Sequence, residues 1–295
     1  MGRAVPVIVQ TFPEEERMQE WLNDVREWVQ ALEPMGFAIA LIVASVFTLV
    51  FLFLFRQGLR RHRIIADTPT VRLRSAAQGY AEIKGEVEAF DGEPLLSRLT
   101  RTPCCWYDYK IEREDRDSDG DKSWTTIDSG SSRRPLLVHD ETHRALIDPE
   151  KADVVARERE QWHGTGGGGL SISLGPIQLN KGGRYRYTEH RIHEGDPLYV
   201  LGNLRSLDDD ALAGHFLERG QTAAEAMVAT ARERTRSPDR LHLVEKPEDS
   251  RRPFLVSTHE EGQLIKRYRR QAMLFFVLLW LAFPATVLLV LGRWT

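Results

Sequence analysis

Cysteine is almost missing from this chain: its 295 residues hold two, Cys104 and Cys105, and they are neighbours. Adjacent cysteines rarely meet disulfide geometry, so the pair reads as free thiols in a reducing compartment, which excludes a disulfide-stapled secreted scaffold. Net charge is nearly absent too, at −3 from 40 basic and 43 acidic residues. No bulk positive field argues for nucleic acid as a partner. Charge of either sign is wholly lacking from two stretches, Phe37 to Phe55 and Ala272 to Leu291. At 1.5 Å per residue the shorter of them makes a helix of about 28 Å, enough to cross the hydrocarbon core of a bilayer. The 216 residues between the two, Arg56 to Gln271, therefore read as a domain tethered at both ends.

What charge there is sits asymmetrically. Residues 1–36 carry seven acids against three arginines, a net of −4, whereas Arg56, Arg60, Arg61 and Arg63 follow the first span directly. Lys266, Arg267, Arg269 and Arg270 lead into the second span and only Arg293 leaves it. Lysine and arginine flanks are retained in the cytoplasm. Both spans thus predict one topology: a multi-pass protein of the inner (plasma) membrane, with its central domain cytoplasmic and both termini on the opposite side. The first span lies behind an acidic tail without a basic n-region, so a permanent anchor is expected in place of a cleaved signal peptide.

Periodicity divides the rest. Residues 1–36 form an acidic segment in which Met18, Trp21, Leu22, Val25, Trp28, Val29 and Leu32 share one face of an amphipathic helix, 14–32, suited to a membrane interface or a partner. Transmembrane helices are expected at 37–55 and 272–291, with a basic helix, 258–271, leading into the second. Thr258 and Glu261 have capping-box spacing, and Pro284 is expected to bend the span. Between them, 67–257, the pattern turns to period two. Ala81, Ile83 and Val87 alternate with acids and a lysine, and Cys105, Tyr107, Tyr109 and Ile111 alternate with polar residues. Further strands are expected at 123–128, 135–139, 145–147, 185–192, 198–204, 241–244 and 254–256, in an antiparallel sheet or barrel. A charged helix is expected at 150–162, ending at Gly164, and one or two helices at 208–234, broken at Gly220. The fold class is therefore a membrane protein whose two transmembrane helices enclose a mainly β (α+β) soluble domain.

Several separated stretches then resemble one family in the right order: Asp67–Thr70, Ser75–Val87, Pro94–Ser97, Pro103–Tyr109, Pro135–Asp140 with Ile147–Glu150, Glu194–Gly202, and Pro253–Ser257 ahead of the closing span. Together they resemble the GIDE-type, or "beside a membrane" (BAM), domain, over roughly Asp67 to Leu291. The resemblance implies a bacterial-type relative of the mitochondrial membrane-anchored E3 ubiquitin ligases. In those members a RING finger follows the second span, and a cross-brace RING needs eight Cys or His ligands around two zinc ions. Four residues follow the span here, none of them Cys or His, so ligase activity is not expected to carry over. What the resemblance implies is a docking, assembly or regulatory module for another membrane protein, with LemA-type proteins as candidate partners, and for self-association into an oligomer.

No catalytic residue, metal site or cofactor is expected, and the partner-binding residues are left unassigned. Asp115 to Thr126 imitates the first half of an EF-hand loop but ends on threonine where the bidentate glutamate belongs. Gly164 to Gly169 lacks the Lys-Ser or Lys-Thr of a P-loop, and Gly169 to Ser173 lacks the last glycine of a nucleophile elbow. His139 and His143, with His190 and His193, are the candidate metal ligands, and Cys104 or Cys105 the candidate nucleophile, of an alternative reading as a thiol- or metal-dependent enzyme. A third reading is a lipid-interacting membrane organiser in stress response, built on the basic flanks.

Overall fold

The alternation of apolar and polar residues between Gly79 and Ser257 closes into a barrel. In the computed structural model, which describes residues 14–92, 94–116, 121–165, 183–221, 223–235, 241–259 and 261–294, the chain forms two units, 64–265 and 1–63 with 266–295. Strands β1 (Gly79–Glu88), β2 (Leu95–Leu96), β3 (Pro103–Cys104), β4 (Trp106–Arg116), β5 (Lys122–Ser131), β6 (Leu136–His139), β7 (Arg144–Ile147), β8 (Asp153–Val155), β9 (Glu158–Thr165), β10 (Arg184–Ile192), β11 (Pro197–Leu207), β12 (Leu241–Glu245) and β13 (Leu255–Ser257) make up most of the first unit. Helices α3 (Asp209–Glu218) and α4 (Ala224–Arg234) lie between β11 and β12.

Strand order β1-β6-β7-β12-β11 returns to β1, because β11 pairs antiparallel with β1 from Gly79 opposite Leu204 to Glu86 opposite Pro197. The inward set of this ring, including Ile83, Leu136, Val138, Ile147, Val200 and Val244, forms one apolar core. The alternate residues Leu137, Leu146, Leu241 and Leu243 form a second core with Leu212, Phe216, Val228 and Ala231 of α3 and α4. Burying a leucine or phenylalanine side chain contributes about 1.5–3 kcal/mol, so the period-two pattern is cashed on both faces of these strands. Asp208 caps α3 by accepting from the Ala211 amide at 2.9 Å, and the expected break falls at Gly220, at φ +78°. A second, antiparallel sheet, β5-β4-β10-β9, stands apart from the ring, with a small apolar cluster of Leu99, Ile111, Tyr185 and Tyr187 on one face.

Two expectations are corrected. The stretch 150–162 is not a helix: it forms β8 and most of β9. Its glutamates and arginines have helical propensity, but cross-strand pairing wins. Trp162 stacks on Tyr187 of β10 at 5.5 Å and 16°, and Glu158 and Glu160 both reach Arg191. The sheet is not wholly antiparallel, since β7 pairs parallel with β12 and β8 with β13, both at the far ends of long crossovers. The last helix begins at Glu261, three residues after Thr258, whose hydroxyl accepts from the Arg157 amide at 2.6 Å.

The other unit holds α1 (Glu14–Ala31) and the apolar parts of α2 (Pro34–Asp67) and α5 (Glu261–Trp294). Pro34 opens α2, where its missing N–H is harmless, and Pro284 lies inside α5. The two long helices run antiparallel: Thr48 and Thr286 share a hydrogen bond of 3.0 Å, Phe55 meets Phe276 at 5.3 Å, and Gly58 lies against Ala272. Small residues and hydroxyls at the contact are the usual means of joining helices in lipid. Both helices are long and apolar enough to cross a membrane, and Leu49 and Leu281 are about two-thirds exposed at 65% and 67%. The apolar surface they present is matched by acyl chains and not by water. Arg293 donates to the carbonyls of Val29, Gln30 and Leu32 at 3.4, 3.3 and 3.0 Å, which caps the end of α1.

Barrel closure leaves no room at Gly85, where an added Cβ would sit 2.3 Å from the His139 carbonyl oxygen. Gly85→Ala is expected to lower stability by about 1–3 kcal/mol, read as a fall in the urea midpoint. Gly214→Ala, in α3 with open space around it, is expected to raise stability by up to about 1 kcal/mol. Equal effects at the two positions would contradict this packing.

Candidate functional site

Cys104 ends β3, opposite Leu95 of β2, and is buried; Cys105 follows before β4 begins and donates its amide to the Ile192 carbonyl at 2.8 Å. Because the chain leaves strand geometry between them, both line one cavity of about 370 Å³ together with Phe90, Arg134, His193 and Glu194. The cavity does not activate them. Burial, then the neighbouring Cys105 and the carboxylate of Glu189, push the Cys104 thiol up to about 12. Burial and Glu194 push Cys105 up to about 11. A nucleophilic cysteine needs the opposite environment, one that favours thiolate. His193, on the same cavity, commits its Nε2 to Glu158 at 2.7 Å.

The four candidate metal ligands are divided between the two sheets. His139 and His143 flank the β6–β7 turn of the barrel, where His139 lies 3.2 Å from the Glu86 carbonyl and buried His143 packs against His242 at 5.1 Å. His190 belongs to β10 and pairs with Asp108 at 3.5 Å. Among the described residues, no group of three or more His, Cys, Asp or Glu is placed to hold a metal ion. In the EF-hand-like loop, Asp115 is engaged by Arg113 at 2.8 Å, while residues 117–120 lie outside the described residues. So do 166–169 of the glycine-rich stretch and the whole of Gly169 to Ser173.

Sequence reasoning missed a buried carboxylate that builds this end of the domain. Glu189 has no solvent exposure and accepts from the Leu99 amide at 2.7 Å, the Thr100 amide at 3.3 Å, the hydroxyls of Ser97 and Thr100 at 3.1 and 2.6 Å, and Arg191 at 3.1 Å. Arg191 in turn reaches Glu158 at 2.9 Å and Glu160 at 2.8 Å. The loop between β2 and β3 is thereby fastened to β10, which fixes where the cysteines lie. The signal was present in β10, where Tyr185 and Tyr187 are followed on the same face by Glu189 and Arg191: a charge continuing an inward aromatic row must be paired.

The other face of this sheet is a lattice of ions. Glu112 sits between Lys110 and Arg186, each at 2.7 Å, and Glu114 between Lys122 at 3.4 Å and Arg184 at 3.5 Å. Trp124 lies under the Arg186 guanidinium at 4.5 Å. The hydrogen bonds from Arg186 and Lys110 bring the Glu112 carboxyl down to about 2. Among the described residues, β5 and β9 form the two edges of the sheet. Glu112, Glu114, Glu189, His190 and His193 are each paired within the domain.

Residues 108–214, from the start of β4 into α3, match the family model described as GIDE, E3 ubiquitin ligase. The match supports a GIDE-type domain at residues 108–214, a stretch that takes in the motifs Pro135–Asp140, Ile147–Glu150 and Glu194–Gly202. No curated protein and no solved structure matches the chain.

Two measurements follow from these environments. With Cys105 held near 11, its reaction with a thiol reagent at pH 7 is expected to run roughly 100-fold slower in the folded protein than in urea, and that of Cys104 slower still. Fast labelling of either folded thiol would restore the nucleophile reading. Glu112, whose pKa is lowered on folding, contributes stability that is complete above the ordinary glutamate range and is lost as pH falls through about 2. Glu112→Gln is expected to flatten the loss of stability between about pH 4.5 and 2. An unchanged acid limb in this variant would rule out that contribution.

Proposed function

Starting from a GIDE-type domain bounded by two helices long and apolar enough to span a bilayer, we propose that this protein is a two-span membrane-anchored docking or assembly module for another membrane protein. The observation that carries the reading is the four-stranded sheet, whose edge strands β5 and β9 have no further strand beside them among the described residues. Extended segments bind open edges through main-chain hydrogen bonds, and such binding needs no reactive group. On this reading the domain is cytoplasmic and both termini lie across the inner membrane, as the arginine flanks of the spans favour. A LemA-type membrane protein is the candidate partner and self-association the simplest alternative occupant. Ubiquitin ligase chemistry is no part of this reading: each structural zinc site of a RING draws on at least two cysteines, so its two sites need at least four, and these 295 residues contain two.

Extraction of the tagged full-length protein in mild detergent tests this, with a variant lacking residues 67–257 as the control. A membrane protein recovered in stoichiometric amount with the full chain, and lost with the control, is the expected result. Recovery of the protein alone, or of the same companions with the control, would overturn the assignment of docking to the domain.

A further inference from the structure

On the ionic face of the second sheet, anions and cations are not displayed equally. The carboxylates of Glu112 and Glu114 are sunk, with side chains 7% and 6% exposed, beneath Lys110, Lys122 and Arg184 at 46%, 56% and 57%. Each carboxylate is shared by two cations, so each triad keeps one positive charge in excess. A solvated strand face ordinarily intersperses exposed charges of both signs. Here solvent meets the cations, with Arg159 of β9 exposed on the same face opposite His190. The anions flanking these triads are Asp108 at one end, paired with His190 at 3.5 Å, and exposed Asp121 at the other, next to Lys122 in sequence.

The spacing is regular as well. Glu112 and Glu114 are alternate residues of β4, so the two triads repeat at about 6.8 Å, the distance between alternate side chains of any extended strand. Trp124, packed on Arg186 and against the His163 ring of β9 at 5.7 Å, borders the first triad with an apolar wall. We infer that this face docks an extended acidic segment of a partner protein, with carboxylates on alternate residues seated on the excess charges of the two triads. The inference rests on the docking reading above and adds this face of the sheet to its edge strands as a contact surface. A partner segment needs only a few carboxylates to match the two triads, and a chain of net charge −3 does not favour a long polyanion.

The test uses the full-length protein in non-ionic detergent and a fluorescein-labelled peptide of five Glu-Thr repeats, followed by anisotropy. The comparison probes are five Gln-Thr repeats, a block peptide of five glutamates then five threonines, and a single-stranded oligothymidine. The variant Lys110→Gln with Lys122→Gln removes only the excess charges, since Glu112 keeps Arg186 and Glu114 keeps Arg184. Its urea midpoint verifies the fold. Expected are binding of the Glu-Thr peptide that weakens with salt, little binding of the Gln-Thr peptide, and a loss on the order of tenfold in the double variant. Lys151→Gln with Lys246→Gln, exposed lysines elsewhere, is expected to leave binding unchanged. Absence of Glu-Thr binding, equal affinity for the block peptide, tighter binding of the oligothymidine, or equal loss in the control variant would each overturn the inference. A co-purified partner retained by the Lys110 and Lys122 variant would reject this face while leaving the docking reading standing.

Discussion

Strand β11 hydrogen-bonds to three others, and the domain depends on that. One edge pairs with β1 along eight residues, while the other is divided, with Tyr199 to Leu201 on β13 and Asn203 to Leu207 on β12. Closing the ring removes the edges of its member strands, and it also determines which way every side chain on them faces. A slip of one residue against β1 would exchange the interior set around Val200 for the set that carries polar groups such as Tyr199, whose hydroxyl reaches buried Glu82 at 2.8 Å. Register is therefore held both by apolar packing and by a polar contact that has no second place to go.

The second sheet works on a different principle. Its apolar cluster is small, and its strands are held largely by buried or half-buried ion pairs and by aromatic stacking across β9 and β10. Buried charges cost desolvation and are tolerated only when fully partnered. Glu189 meets that condition with five donors, and the loop that supplies four of them is the one that places the cysteines. A residue with no chemistry of its own thus governs the surroundings of the two that have some.

Much of this was legible. The two spans, the strands with clear alternation and the paired helices after Asp208 were readable because local pattern and tertiary environment agree. The stretch Glu150 to Trp162 was not, since helix propensity is local whereas the partners that make it a strand, Tyr187 and Arg191, lie about 30 residues further on in the sequence. The parallel pairings were invisible for the same reason. At the candidate site, the cysteines and histidines drew attention by residue type, yet their environments could be judged only once Glu189, Glu194 and Asp108 were brought beside them. The ion lattice was written in the alternation of β4, as Lys110, Glu112 and Glu114, but the sinking of its acids beneath its bases is a property of three dimensions.

The clasp between Arg293 and the end of α1 joins residues that are 261 to 264 positions apart. On a ribosome adding about 5–20 residues per second, the carbonyls of Val29, Gln30 and Leu32 wait roughly 13–50 seconds for their donor. The amino-terminal helix is thus completed only after the far end of the second long helix has been made, so its last carbonyls are satisfied by the partner helix and not by its own neighbours in sequence.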